Sequence, residues 1–250
     1  MAIDDPTERS EPYAKQQDTG AAERQTAFAV PNYAGLQSFL DAFDEEKRQH
    51  VGEISPGVYR GKGPVLSAYL EDLFAVYLKK AFDSSSIYLL IDVSVRIGSI
   101  SCRPDIAVIE IEHDNVTVLG FVDCKTSLGW SRDNVYGMAD KYRNLRDAVV
   151  ENGCSVCIGG VDGKHDGTKR FNGEHPVKPD FVWDVFVKDV WGKGSAQTVL
   201  EQIESWNDDK NALRTKIWWG QYWSEKKEGV YRVSSEDTFA RLASRMRNGN

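Results

Sequence analysis

Between Arg103 and Lys125 the chain carries two consecutive arms rich in β-branched residues, separated by a short polar break. This pair constrains the fold more than any other segment. The first arm reads Arg103-Pro104-Asp105-Ile106-Ala107-Val108-Ile109-Glu110-Ile111-Glu112, and the second Val116-Thr117-Val118-Leu119-Gly120-Phe121-Val122-Asp123-Cys124-Lys125, with His113-Asp114-Asn115 between them. Such runs favour strands, and two of them this close in sequence predict an antiparallel hairpin.

Position numbers of facing residues in an antiparallel pair add to a constant. With 113–115 as the loop, Glu112 faces Val116, the constant is 228, and Asp105 falls opposite Asp123. A two-residue turn moves this register by one position. Asp123 and Lys125 share a face and Cys124 points to the other, because strand side chains alternate. Facing carboxylates repel unless a cation sits between them, so the pair suits a site better than a purely structural role. The competing reading is a solvated cluster at a strand end, where an exposed ion pair is worth little. Glu110 and Glu112 lie near the turn, on the face opposite Asp105, and read as solvated.

Pro104-Asp105 followed by Asp123-Cys124-Lys125 resembles the PD-(D/E)XK motif of the restriction-endonuclease-like nucleases, and among them type II restriction endonucleases. The element order agrees over residues 64–161. A helix is predicted at 65–82 and a strand at 87–97 before the hairpin, then a helix at 133–151 and a strand at 154–161 after it. The motif is short, so element order carries most of the likeness. The resemblance implies an α/β restriction-endonuclease-like core, a mixed central sheet flanked by helices, with additions at the C-terminus. It also implies divalent-metal-dependent hydrolysis of DNA phosphodiesters. Asp105 and Asp123 would then bind metal, joined by the main-chain carbonyl of Cys124. Lys125 would orient or deprotonate the attacking water, and Glu71 is the candidate for a further metal-associated carboxylate. Mg²⁺, with Mn²⁺ as a substitute, suits oxygen donors without histidine. Asp123 stands where many members carry Glu, one methylene longer. That shortening bears on whether one or two cations bind.

The helix at 65–82 is apolar over most of its surface, with Val65, Tyr69, Leu73, Val76 and Tyr77 at spacings of three and four, beside Leu66, Leu70, Phe74 and Leu78. Its acids Glu71 and Asp72 either take a partner or lie on one polar strip. The later helix sets Val135, Met138, Ala139, Tyr142, Leu145 and Val149 on one stripe, with Lys141, Arg143 and Arg146 off it. One exonuclease branch of the resembled fold has glutamine four residues before tyrosine. Here Met138 stands four before Tyr142, which disfavours that branch.

The chain has 250 residues and a formal net charge of −7, which argues against a non-specific nucleic-acid binder, since these are usually basic. Residues 1–50 hold ten acids and five bases, so −5 of the charge lies there. Residues 1–27 are polar and are predicted to be disordered. Local patches then remain for phosphate contact: Arg60 with Lys62, Lys141 on the second helix, and Lys164, Lys169 and Arg170 in a glycine-rich stretch. That stretch, 159–180, reads as a long loop. His165 and His175 within it are not at a metal-specific spacing. Cys154 and Cys157 have a zinc half-site spacing without a second pair, and read as core cysteines. Helices are predicted at 196–206 and 237–247, in an aromatic C-terminal addition spanning 191–250. The expected organisation is one nuclease domain, 28–250, with its core at about 64–190.

No apolar run approaches the ~20 residues needed to span a bilayer, and the acidic N-terminus lacks signal-peptide form, so the expected location is cytoplasmic. Double-stranded DNA is the expected partner, and cutting both strands suggests a homodimer. A repair or junction nuclease, or a silent nuclease-like binding domain, are the alternatives.

Overall fold

The sheet is built around two long central strands, β5 (Asn115–Ser127) and β7 (Gly173–Val190), which run parallel to each other. In this computed structural model the described residues are 35–52, 66–113, 115–128, 134–152, 155–159, 171, 173–190, 196–224 and 230–249. The remaining elements are α1 (Leu36–Gly52), α2 (Ser67–Phe82), β1 (Ile87–Ile91), β2 (Ser94–Ile97), β3 (Ile100–Cys102), β4 (Ile106–Glu112), α3 (Val135–Glu151), β6 (Ser155–Gly159), α4 (Ala196–Asp208), β8 (Ile217–Ser224), β9 (Val230–Val233) and α5 (Thr238–Asn248). A short 3-10 turn, Lys210–Leu213, joins α4 to β8.

The strand order β1-β4-β5-β7 branches at β7. Its first half pairs antiparallel with β6, which leads to β2 and β3. Its second half pairs parallel with β8, which carries β9. Helices cover both faces. On one, α3 and α4 bring Val135, Ala139, Tyr142 and Ile203 against Phe121 and Trp183. On the other, α1, α2 and α5 bring Phe39, Phe74, Leu78, Phe239 and Leu242 against Ile106, Val122 and Phe186. The eight residues from Phe181 to Lys188 are all buried, as expected for a central strand covered on both sides. The architecture is α/β, a mixed sheet flanked by helices, as predicted. The described residues fall in one compact unit. Among the described residues no helix is long and apolar enough to cross a membrane.

Several predicted boundaries change. The strand expected at 87–97 is two strands with different partners, broken at Asp92, whose φ of 54° turns the backbone out of the extended region. The predicted 159–180 loop is wrong over 173–180, where β7 continues and pairs with β6. Gly173, Pro176 and Pro179 hid that strand, because these residues usually mark loops. The C-terminal addition is only partly separate, since β8 extends the main sheet and carries Trp218 and Trp219. The predicted helices at 196–206 and 237–247 are α4 and α5. Residues 1–27, Arg60, Lys62, Cys154, Lys164, His165, Lys169 and Arg170 lie outside the described residues.

Candidate active site

Two local irregularities align the carboxylates. The hairpin turn is shorter than predicted: Glu112 faces Asn115, and facing numbers add to 227 as far as Ile109 and Val118. A bulge then sets Val108 opposite Gly120, and the constant becomes 228 through Ala107–Phe121 and Ile106–Val122. One step further puts Asp105 opposite Asp123, whereas a straight ladder would have put it opposite Val122. The bulge also exchanges the strand's faces. Val116 and Val118 pack in the α3 layer before it and Phe121 after it, while Leu119, Val122 and Cys124 pack in the α2 layer. Asp123 and Lys125 therefore emerge on the α3 side. Bulges often re-aim a side chain in this way.

Asp123 is 6% exposed and well tethered. The Trp183 indole N–H donates to its Oδ2 at 2.7 Å, and the Tyr142 hydroxyl donates to its Oδ1 at 3.1 Å. Lys125 Nζ stands 3.4 Å from Asp123 Oδ1 and 3.5 Å from Asp105 Oδ2. The Cys124 main-chain N–H donates to Asp105 Oδ2 at 2.7 Å. In a strand the N–H and C=O of one residue point to the same side, so the Cys124 carbonyl faces the gap beside Asp105. The Cys124 side chain is buried in the opposite layer.

Electrostatics tie Glu71 to this group. Burial, then repulsion from Asp105 and Asp92, push its carboxyl up to about 7, with Lys125 opposing. Asp105 is likewise raised, first by burial and then by Asp123, against the pull of Lys125 and the Cys124 N–H. Burial disfavours a charged Lys125, yet Asp123, Tyr142 and Asp105 together raise its affinity for the proton. Tyr142 is also held protonated by burial and by Asp123. The result is a group short of positive charge, with two carboxyls raised and one lysine firmly cationic.

The sequence-predicted residues Asp105, Asp123, Lys125 and the Cys124 backbone meet here, and Glu71 lies within their field. Lys141 is exposed, with its ammonium 5.2 Å from the Tyr142 ring centre, so it stands beside the cluster. Arg143 instead pairs with Asp140 at 2.7 Å and stacks on Trp206. His175 is buried, with its Nε2 3.0 Å from the Phe171 carbonyl oxygen. Sequence reasoning missed the part played by Tyr142, Trp183 and Asp92. The available signal was a hydroxyl and an indole N–H on buried positions, since such groups need a partner.

The donors fit a hard divalent cation, because all are oxygens. Among the described residues no group of three or more His, Cys, Asp or Glu side chains is placed to hold a metal ion. Magnesium commonly takes one or two carboxylates and completes its shell with water and substrate phosphate, which is what Asp105 and Asp123 offer. Comparison with known protein families, curated proteins and solved structures finds no match.

Proposed function

We propose that this protein is a Mg²⁺-dependent DNA endonuclease, most simply a sequence-specific restriction-like enzyme acting on duplex DNA as a homodimer. The observation that carries the reading is the meeting of Asp105, Asp123 and Lys125 at one strand end, with Glu71 electrostatically joined to them. A divalent cation bound there would supply Lewis-acid stabilisation of the phosphate oxygens and a water of lowered pKa. Asp105 and Asp123 would hold it, with the Cys124 carbonyl as a further donor.

The chain's own groups divide the remaining work. Lys125, kept protonated by its acids, offsets charge on the attacked phosphate rather than taking a proton. Glu71, near 7, has the affinity expected of a proton acceptor at neutral pH. Tyr142 and Trp183 are positioning residues that fix Asp123. Lys141 offers a phosphate contact at the rim.

One observation favours a second reading, a nuclease-like domain used only for binding: Asp123 is almost enclosed and already accepts bonds from Tyr142, Lys125 and Trp183. Incubation with plasmid, linear and branched DNA in Mg²⁺ separates the possibilities. Discrete fragments fit restriction, and smears or branched-substrate cleavage fit a repair or junction nuclease. Absence of metal-dependent cutting on all three sinks the enzyme reading.

A further inference from the structure

A polar cavity of about 420 Å³ opens between α4, the start of β8 and the start of α5. Its size suits a small ligand. One wall is cationic: Lys216 stacks 4.8 Å from the Trp218 ring centre, and the Arg241 guanidinium stands 5.7 Å from the same ring. Neither cation has a carboxylate within ion-pair distance among the described residues. Glu204 and Asp208 of α4 also line the cavity, and Ser234 adds a hydroxyl.

The cavity is separate from the Asp105–Asp123 cluster. Strand β8 lies two strand spacings from β5, about 10 Å across the sheet. None of the residues lining the cavity bonds to Asp105, Asp123 or Lys125.

Charge at Lys216 is unbalanced. Burial and the guanidiniums of Arg241 and Arg245 lower its pKa, against weaker support from Asp184 and Asp208. Asp184 cannot serve as its counter-ion, since it is already bonded to Arg245, Trp218 and the Lys216 main-chain N–H. An anion beside Lys216 and Arg241 would relieve this crowding.

We infer that this cavity binds a small phosphorylated ligand of the nucleotide class, its phosphate on Lys216 and Arg241 and its sugar hydroxyls on Glu204 and Asp208. Carboxylates are common partners of ribose hydroxyls, and paired cations with a hydroxyl donor suit phosphate. A bland pair of surface cations would not explain why two acids and two cations line one cavity. The inference does not depend on the cleavage reading.

The test is calorimetric titration of the four ribonucleoside 5′-monophosphates, without added metal, into wild type, Lys216→Ala, Arg241→Ala and Lys125→Ala. Melting temperatures are measured beside each. At least one nucleotide should bind wild type. Its affinity should fall about tenfold or more in each of Lys216→Ala and Arg241→Ala, since a hydrogen bond to a charged group is commonly worth that much. Binding to Lys125→Ala should match wild type, and inorganic phosphate should compete. The inference is overturned if no nucleotide binds wild type, or if Lys125→Ala abolishes binding while Lys216→Ala and Arg241→Ala leave it intact.

Discussion

Trp183 and Tyr142 hold Asp123 from two sides, and both reach it across long stretches of sequence, 60 and 19 positions away. Trp183→Phe keeps the aromatic packing against Phe121 and Tyr142 but removes the N–H donor. Loss of a hydrogen bond to a charged group costs about 1.5–3 kcal/mol, so urea unfolding should show a loss in that range. DNA cleavage should slow by about tenfold or more as Asp123 loses its fixed orientation. Unchanged cleavage in a folded variant would remove Trp183 from the site. Glu71 gives a pH signature. Its carboxyl lies at about 7 in the fold against 4.5 for the free group, so the fold binds the proton more tightly and loses stability as pH rises from about 4.5 to about 7. Glu71→Gln removes that loss. Its melting temperature should exceed wild type by about 1–2 °C above pH 7, after screening, and match it below pH 4. Asp105, Asp123 and Lys125 were legible in the sequence because one hairpin brings them together. Tyr142 and Trp183 were not, because only the packing of α3 and β7 over β5 gives them their partner.

Element by element, the strands were easier to find than to join. The alignment of Asp105 with Asp123, one step beyond the paired ladder, matches the sequence reading, but two offsetting differences produce it: a turn one residue shorter and a bulge one residue longer. Neither follows from period-two patterning, which sees only apolar alternation. The break at Asp92 escaped for a similar reason, since Ile87 to Ile97 looks continuous while its halves pair with different strands. The bulge has a testable anchor in Gly120. A Cβ there would stand 3.0 Å from the Val182 carbonyl oxygen and 3.3 Å from Met246 Cε. Gly120→Val should therefore cost about 1–3 kcal/mol through overpacking. Chemical denaturation checks the cost, and a variant as stable as wild type would show that β5 and β7 can part there freely.

Across the molecule, the C-terminal helix is bolted to the sheet by one buried ion pair. Asp184, fully buried, accepts from Arg245 Nε at 2.9 Å, from the Trp218 indole at 2.9 Å and from the Lys216 main-chain N–H at 2.8 Å. Arg245 also donates to the Ala212 carbonyl at 2.5 Å. This links α5, β7, β8 and the 3-10 turn. Arg245→Met strands the Asp184 charge and should destabilise the fold by about 3–5 kcal/mol, read from thermal or urea unfolding. A much smaller cost would mean that the Trp218 indole and the Lys216 main-chain N–H hold Asp184 without Arg245. The layered α/β class was legible from the order of predicted helices and strands and the family resemblance it carries, whereas the branching of the sheet at β7 depends on long-range pairing that no local pattern encodes. The central claim is that the Asp105–Asp123–Lys125 cluster cuts DNA with a divalent cation. It is tested most directly by the rate of plasmid cleavage against Mg²⁺ concentration for wild type, Asp105→Asn and Lys125→Ala, with circular dichroism on each. Wild type should cut only with metal, and both folded variants should fall by about a hundredfold or more. Metal-independent cutting, or variants that cut as fast as wild type, would contradict the account.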